Sequence, residues 1–323
     1  MSNSNQLEMM ERIALDLEGV ERALASSFNT GSEDFNTLIR PLSEAGGKRL
    51  RAQLCLLIAN AGTSVEAERI KIAEAVEMLH LATLIHDDVL DQAEIRRGED
   101  TIHKHKGNKV AILSGDYLFA KAFRIVSEMP HMEYLKVFSH IITCLVEGEF
   151  MQMEDVYRID QGIDRYMTKT QKKTADFMEG CMELGGLLGG WSSDEIMYLK
   201  RYGHALGMAF QITDDIMDYR ETSDTTGKPV GNDIREGLLT YPLLSIVNES
   251  NQNQLLQDIK NLNHGGNEQE IIDYVIAQGG IDNTLRVAQQ YCDDALSALQ
   301  SIRDFDGKEF LVIAVQNLAD RKV

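Results

Sequence analysis

The run Thr83-Leu84-Ile85-His86-Asp87-Asp88-Val89-Leu90-Asp91 closes a long apolar stretch whose periodicity is that of an α-helix. A second run, Gln211-Ile212-Thr213-Asp214-Asp215-Ile216-Met217-Asp218, closes another. Both end in Asp-Asp-x-x-Asp. On a helix, residues i and i+4 lie one above the other, so Asp87 with Asp91, and Asp214 with Asp218, form two-carboxylate shelves. Carboxylates so close repel unless a cation sits between them. Paired hard oxygen ligands suit Mg²⁺, which keeps several waters and fills its remaining positions with substrate phosphate. One acidic cluster on a helix is commonly a solvated face, but two matching clusters embedded in apolar sequence point to metal and phosphate.

Outward from these two helices the 323-residue chain keeps the same character. It has four prolines, none between Pro130 and Pro229, which leaves long uninterrupted runs for helices. With 43% hydrophobic residues it can bury a substantial core. The expected fold is all-α, a bundle of roughly ten or more helices around a central cavity. No low-complexity segment, charge block or proline-rich linker divides it, so residues 1–323 read as a single domain, and the acidic motifs duplicate a function without an internal sequence repeat.

A formal net charge of −19 argues against a nucleic-acid partner. An anionic substrate must therefore be met by local cations or by metal. Cys55, Cys144, Cys181 and Cys292 are scattered without CxxC spacing and read as buried thiols, neither a disulfide frame nor a zinc site. The first residues are polar and acidic, unlike a signal peptide, and no apolar run is long enough to span a bilayer. The expected location is cytoplasmic.

Leu7, Met10, Ile13, Ala14, Leu17 and Val20 recur at helical spacing and predict an amphipathic opening helix that packs on the domain or on a second subunit. Gly46-Gly47 precedes Lys48-Arg49-Leu50-Arg51 and an apolar helix through Ile58. Thr63 with Glu66, and Ser192 with Glu195, have capping-box spacing and mark the starts of the two motif-bearing helices. Gly98 to Gly107 reads as a polar loop, Lys109 to Glu128 and Met132 to Glu154 as helices. Helix resumes near Tyr166 and runs through Lys173-Thr174; Glu221 to Gly237 is the longest flexible loop.

Around the acidic motifs lie candidates for holding anions. His80 precedes Asp87 by two helical turns and shares its face. Arg96 and Arg97 follow the first motif with guanidinium forks that match phosphate oxygens. Lys48 and Arg51 flank the Gly-Gly turn at a helix start, yet the spacing is not that of a nucleotide-binding Walker loop. Lys173 and Thr174 add a cation and a hydroxyl, Gln211 sits one turn before Asp214, and Lys228 lies in the loop after Asp218.

In that order, Gly46-Gly47-Lys48-Arg49-Leu50-Arg51, His80, Asp87-Asp88-x-x-Asp91 with Arg96-Arg97, Gly115-Asp116-Tyr117, Lys173-Thr174, Gln211 with Asp214-Asp215-x-x-Asp218, and Gly227-Lys228 resemble the motifs of the trans-prenyltransferase (polyprenyl diphosphate synthase) family, with the isoprenoid synthase fold. The resemblance implies that Asp87, Asp91 and Asp214 ligate Mg²⁺ on the diphosphate of an allylic substrate, supported by Asp88, Asp215 and Asp218. It assigns Arg96, Lys173, Thr174, Gln211 and Lys228 to that diphosphate, and Lys48, Arg51, His80 and Arg97 to isopentenyl diphosphate. The implied reaction ionises the allylic C–O bond, lets the isopentenyl double bond attack the cation, and loses a proton, so no protein nucleophile is needed. A homodimer is implied, with a small regulatory subunit in some long-chain members.

At one place the chain departs from the family. Many members carry a lysine shortly before a Thr-x-Pro, where this chain has Leu238-Leu239-Thr240-Tyr241-Pro242. For product length, the small Ala82 and Thr83 lie one turn before Asp87 and the flexible Met78 two turns before. One turn is about 5.4 Å, close to an isoprene unit, so a growing chain passes at least that level. Phe119 and Phe123 on the next helix read as ordinary core residues rather than a tunnel floor. The expectation is a medium- or long-chain product, hexaprenyl to decaprenyl. The alternatives are a farnesyl or geranylgeranyl diphosphate synthase, a subunit active only with a small partner, and a class I terpene cyclase, against which the second set of cations argues.

Overall fold

In a computed structural model of the chain, described over residues 3–28, 33–44, 49–96, 98–220 and 231–319, helix follows helix. The all-α expectation holds. Among the described residues the one exception is an antiparallel pairing of two-residue strands, β1 (Ile95–Arg96) with β2 (Glu99–Asp100). The chain gathers into two compact units: Met1–Ser139 with Cys181–Met197 and Asp304–Gly307, and His140–Gly180 with Tyr198–Arg303 and Lys308–Val323.

In the first unit, α1 (Asn3–Ser27), α2 (Glu33–Glu44), α3 (Leu50–Asn60) and α4 (Glu66–Leu90) are followed by α5 (Ile102–Lys106), α6 (Asn108–Ser127) and the start of α7 (Met132–Glu154). The buried stripe of α1 is Met9, Ile13, Asp16, Val20 and Leu24, while Leu7 and Met10 are exposed. The predicted stripe is therefore turned by part of a turn, and Asp16 is the reason. Its carboxylate accepts from Arg69 Nε at 2.6 Å and Nη2 at 3.1 Å on α4, and from Asn60 Nδ2 at 2.7 Å on α3. An acid met by three donors can be buried, so an apolar pattern alone misreads the face.

The start of α3 is held in the same way. Glu77 of α4 accepts the Ala52 N–H at 3.1 Å and Arg49 Nη1 at 3.3 Å, satisfying a helix N-terminus from outside. The Thr63/Glu66 capping box does not form. Val65 occupies the N-cap position, the Thr63 N–H donates to Gly189 O at 3.0 Å, and Ser64 Oγ reaches back to Ala59 O at 2.6 Å. Gly98 to Gly107 is likewise not a plain loop, since β2 and α5 occupy most of it.

The second unit holds the rest of α7, then α8 (Ile163–Thr170), a π turn at Gln171–Ala175, the start of α9 (Asp176–Leu188), and most of α10 (Ser193–Arg220). The helix expected to run unbroken past Thr174 thus carries one π turn, closed by the Asp176 N–H donating to Gln171 O. The Ser192/Glu195 capping box does form, with Glu195 N–H on Ser192 Oγ at 3.3 Å and Ser192 N–H on Glu195 Oε2 at 3.2 Å. Tyr166, Met208, Ile212 and Ile216 pack with Leu243, Ile259, Ile272 and Val275 in the core of this unit.

Candidate active site

The first acidic motif ends α4, where unpaired carbonyls make the helix end negative. Three aspartates at that end are electrostatically unfavourable without a cation. Asp91 is the C-cap, its N–H donating to Asp87 O at 2.8 Å, and Gln92 at φ 51° reverses the chain. The reversal brings Arg96 on β1 back to the motif, where its Nε donates to buried Asp88 at 2.6 Å. Arg96, assigned by resemblance to a diphosphate, is thus occupied here by Asp88.

Immediately before the motif the ring of His86 lies against Gly115 of α6, with Nε2 at 3.1 Å from Ile112 O and 3.7 Å from Asp116 Oδ1. A Cβ at Gly115 would come within 2.1 Å of that Nε2, so Gly115 is what admits the ring. Arg51 and His80 are brought together, Nη1 to Nε2 at 3.3 Å. Burial lowers the Arg51 pKa, a cost that a nearby anion offsets. Met78 and Ala82 are fully buried and Thr83 half-buried, its hydroxyl on His80 O at 2.8 Å. Phe119 is half-buried against the His86 ring, and Phe123 is 37% exposed against Phe138, so neither is an ordinary core residue.

In the second unit the motif occupies the last turns of α10 and is held by a buried polar chain. Thr174 Oγ1 donates to Gln211 Oε1 at 2.9 Å, Gln211 Nε2 donates to Asp215 Oδ1 at 3.0 Å, and the Tyr166 hydroxyl donates to Asp215 Oδ2. Burial pushes Asp215 from 3.8 up to about 6, against the pull of those two hydrogen bonds. Asp218 accepts the Asn232 N–H at 3.1 Å and the Asp233 N–H at 3.2 Å, which ties the end of α10 to the helix Asn232–Glu236. Burial raises its pKa too, partly countered by those N–H groups.

Lys173 lies in the π turn and pairs with Glu149 of α7, with Gln152 Oε1 also at 3.0 Å. Two glycines let the turn sit close to its neighbours. A Cβ at Gly148 of α7 would meet Lys173 Cγ at 2.8 Å, and one at Gly207 of α10 would meet Ala175 Cα at 2.6 Å. Lys48, Arg97 and Lys228 lie outside the described residues, as do Gly46 and Gly47. Leu238, at the point of departure from the family, is half-buried, with its N–H on Asp233 O at 2.8 Å.

Sequence reasoning missed Tyr166, Glu149, Gly148, Gly207 and His86. The available signals were weak: a tyrosine seven residues before Lys173, and a glycine beside an acid in Val146-Glu147-Gly148-Glu149.

The description "Polyprenyl synthetase" belongs to the family model that matches residues 32–278. The chain belongs to this family. It is a polyprenyl synthetase in reaction class, a prenyltransferase, as the ordered motifs implied. The octaprenyl diphosphate synthase of Escherichia coli (strain K12) is 33% identical to it over 320 residues, covering 97% of this chain and 99% of that one. The heptaprenyl diphosphate synthase component 2 of Geobacillus stearothermophilus is 32% identical over 288 residues, 89% of this chain and 90% of that one. Among solved structures, a polyprenyl synthase from Caulobacter crescentus CB15, complexed with calcium and isoprenyl diphosphate, superposes with a TM-score of 0.88 at 30% identity, covering 100% of this chain and 98% of that one. The polyprenyl synthetase shares the isoprenoid synthase fold of these relatives.

Proposed function

We propose that the whole chain, residues 1–323, acts as one Mg²⁺-dependent enzyme that condenses isopentenyl diphosphate with an allylic diphosphate and extends it to a medium- or long-chain all-trans polyprenyl diphosphate. The observation that carries this reading is the placing of both Asp-Asp-x-x-Asp motifs at the negative ends of long helices, in a family whose octaprenyl member is similar end to end. The donor set fits Mg²⁺, being all carboxylate oxygen. Asp88, Asp215 and Asp218 already serve Arg96, the Tyr166–Gln211 pair and backbone N–H groups. By the resemblance to the family's motifs, Asp87, Asp91 and Asp214 are the residues that would hold the metal, which would supply charge neutralisation for a departing diphosphate.

The chain's own groups do the rest. Lys173 would exchange Glu149 for the allylic diphosphate, joined by Arg96 and Lys228, while Thr174 and Gln211 hold Asp215 in place. Arg51 and His80, with Lys48 and Arg97, would grip isopentenyl diphosphate. Small Ala82 and Thr83 on α4 let the growing chain pass. The exposed row Val146, Phe150 and Met153 on α7, at 48%, 62% and 56%, supports a homodimer. No helix among the described residues is long and apolar enough to cross a membrane, which agrees with a cytoplasmic enzyme.

The test incubates purified protein with Mg²⁺, labelled isopentenyl diphosphate and farnesyl diphosphate, then resolves product lengths. Products between hexaprenyl and decaprenyl are expected; a geranylgeranyl limit would overturn the length. Ala82→Phe should shorten the product, and an unchanged distribution would show that the chain does not pass this face of α4. A second reading, a subunit active only with a partner, is favoured by Leu238 and by the similarity to a synthase component. No elongation by the chain alone from any allylic primer selects it.

A further inference from the structure

A cluster in the second unit takes no part in the diphosphate chemistry. His140 and Cys144 stand one turn apart on α7, and Asp176, the first residue of α9, lies beside them. One ligand atom from each lies within 4.8 Å of the others. A second triad shares the same aspartate: Asp176, Glu179 and His204 meet the same limit. Cys144 and Asp176 are buried, while His140 is exposed and opens the cluster to solvent.

We propose that His140, Cys144 and Asp176 form a Zn²⁺ site, with the fourth position open to solvent and Glu179 and His204 as outer partners. The three groups are near enough to close on one ion: Cys144 Sγ lies 3.6 Å from His140 Nε2 and 3.8 Å from Nδ1, so the exposed imidazole would turn one nitrogen toward the ion on binding. A mixed sulfur, nitrogen and carboxylate set selects zinc over the Mg²⁺ that suits all-oxygen shelves.

The neighbouring groups support the assignment. Asp176 is steadied by Gln171 Nε2 at 3.2 Å. Glu179 Oε2 is 3.6 Å from His204 Nδ1 and its Oε1 is 3.4 Å from Lys200 Nζ, so this second triad is partly compensated within itself. Cysteine spacing alone hides the site, because its other ligands are a histidine one turn away on α7 and an aspartate on α9. Asp176 directly follows the π turn that carries Lys173 and Thr174, so zinc would pin the base of that turn to α7.

The experiment uses the full chain, stripped of metal with a chelator and titrated with Co²⁺ and then Zn²⁺. Expected are a near-ultraviolet thiolate-to-cobalt absorption that Zn²⁺ bleaches, and a rise in Tm with one equivalent of Zn²⁺. Cys144→Ser should abolish the absorption, His140→Ala should weaken Zn²⁺ at least about tenfold, and Asp214→Asn should leave the absorption intact. Absence of the thiolate band in the parent chain overturns the proposal, as does its persistence in Cys144→Ser. Should Cys144→Ser not fold by circular dichroism, the exposed His140→Ala decides: unchanged Zn²⁺ affinity there overturns the site.

Discussion

The two acidic motifs share a sequence pattern and differ in what holds them. Asp88, in the middle of the first, is met by a full positive charge, the Arg96 guanidinium at 2.6 Å. Asp215, in the middle of the second, is met first by neutral groups, the Tyr166 hydroxyl and the Gln211 amide, with Lys169 a lesser influence. Charge-assisted pairing favours an ionised carboxylate more than neutral donors do. Neutral donors leave burial only partly offset at Asp215, whose pKa rises to about 6. The middle aspartate of one motif therefore carries its own counter-charge, whereas that of the other is held by neutral donors.

Removing a ligand from either motif gives the largest expected effect. Asp87→Asn and Asp214→Asn should each lower kcat about 10²–10³-fold, read as isopentenyl incorporation at saturating substrate. A variant that keeps parental kcat would remove its motif from the metal site and break the symmetry of the pair. The next effect tests the difference between them. The folded state binds the Asp215 proton more tightly than the unfolded state does, so this group's stabilisation is fullest below 3.8 and is lost as pH rises to about 6. The loss is about 3 kcal/mol for a shift of this size. In urea unfolding of metal-free protein across that range, Asp215→Asn should flatten the decline; an unchanged pH slope would contradict the account of the second motif.

The smallest effect compares how tightly each motif is packed. Gly207→Ala forces a Cβ against the backbone of the π turn at 2.6 Å and should cost about 1–3 kcal/mol. Gly115→Ala meets only the ring of His86, which can swing outward, so its loss of Tm should be the smaller of the two. The reverse order in thermal unfolding would show that the first motif is the more rigidly supported.

What the sequence revealed depended on where the deciding contacts lie. The bounds of α7 and the capping box at Ser192 were legible because they are set by neighbours within a few residues. The box at Thr63 failed because that residue's N–H goes to Gly189, far along the chain. The face of α1 was misread because a buried ion pair looks polar in a hydropathy pattern. Around the candidate site, the acidic motifs, Lys173, Thr174 and Gln211 stood out as candidates by type and order. Glu149 and Tyr166 could not, since only folding brings them to Lys173 and Asp215. Nothing in Gln171-Lys172-Lys173-Thr174-Ala175 itself asks for a π turn; the close approach at Gly148 and Gly207 accompanies it.

That turn has a consequence for phase. An α-helix advances about 100° per residue, so on an unbroken helix Tyr166 and Lys173, seven apart, would point the same way. The π turn takes up one surplus residue and puts α8 and α9 out of step by about that angle. Tyr166 is thereby sent to Asp215 on α10 and Lys173 to Glu149 on α7. Excising Gln171 or Lys172 would leave Tyr166, Lys173 and their partners present and the helix smoother, yet swing one half of this set away from its partners. The surplus residue acts as the reading frame of the helix: it contributes no chemistry of its own, and it decides which neighbour each chemical group meets.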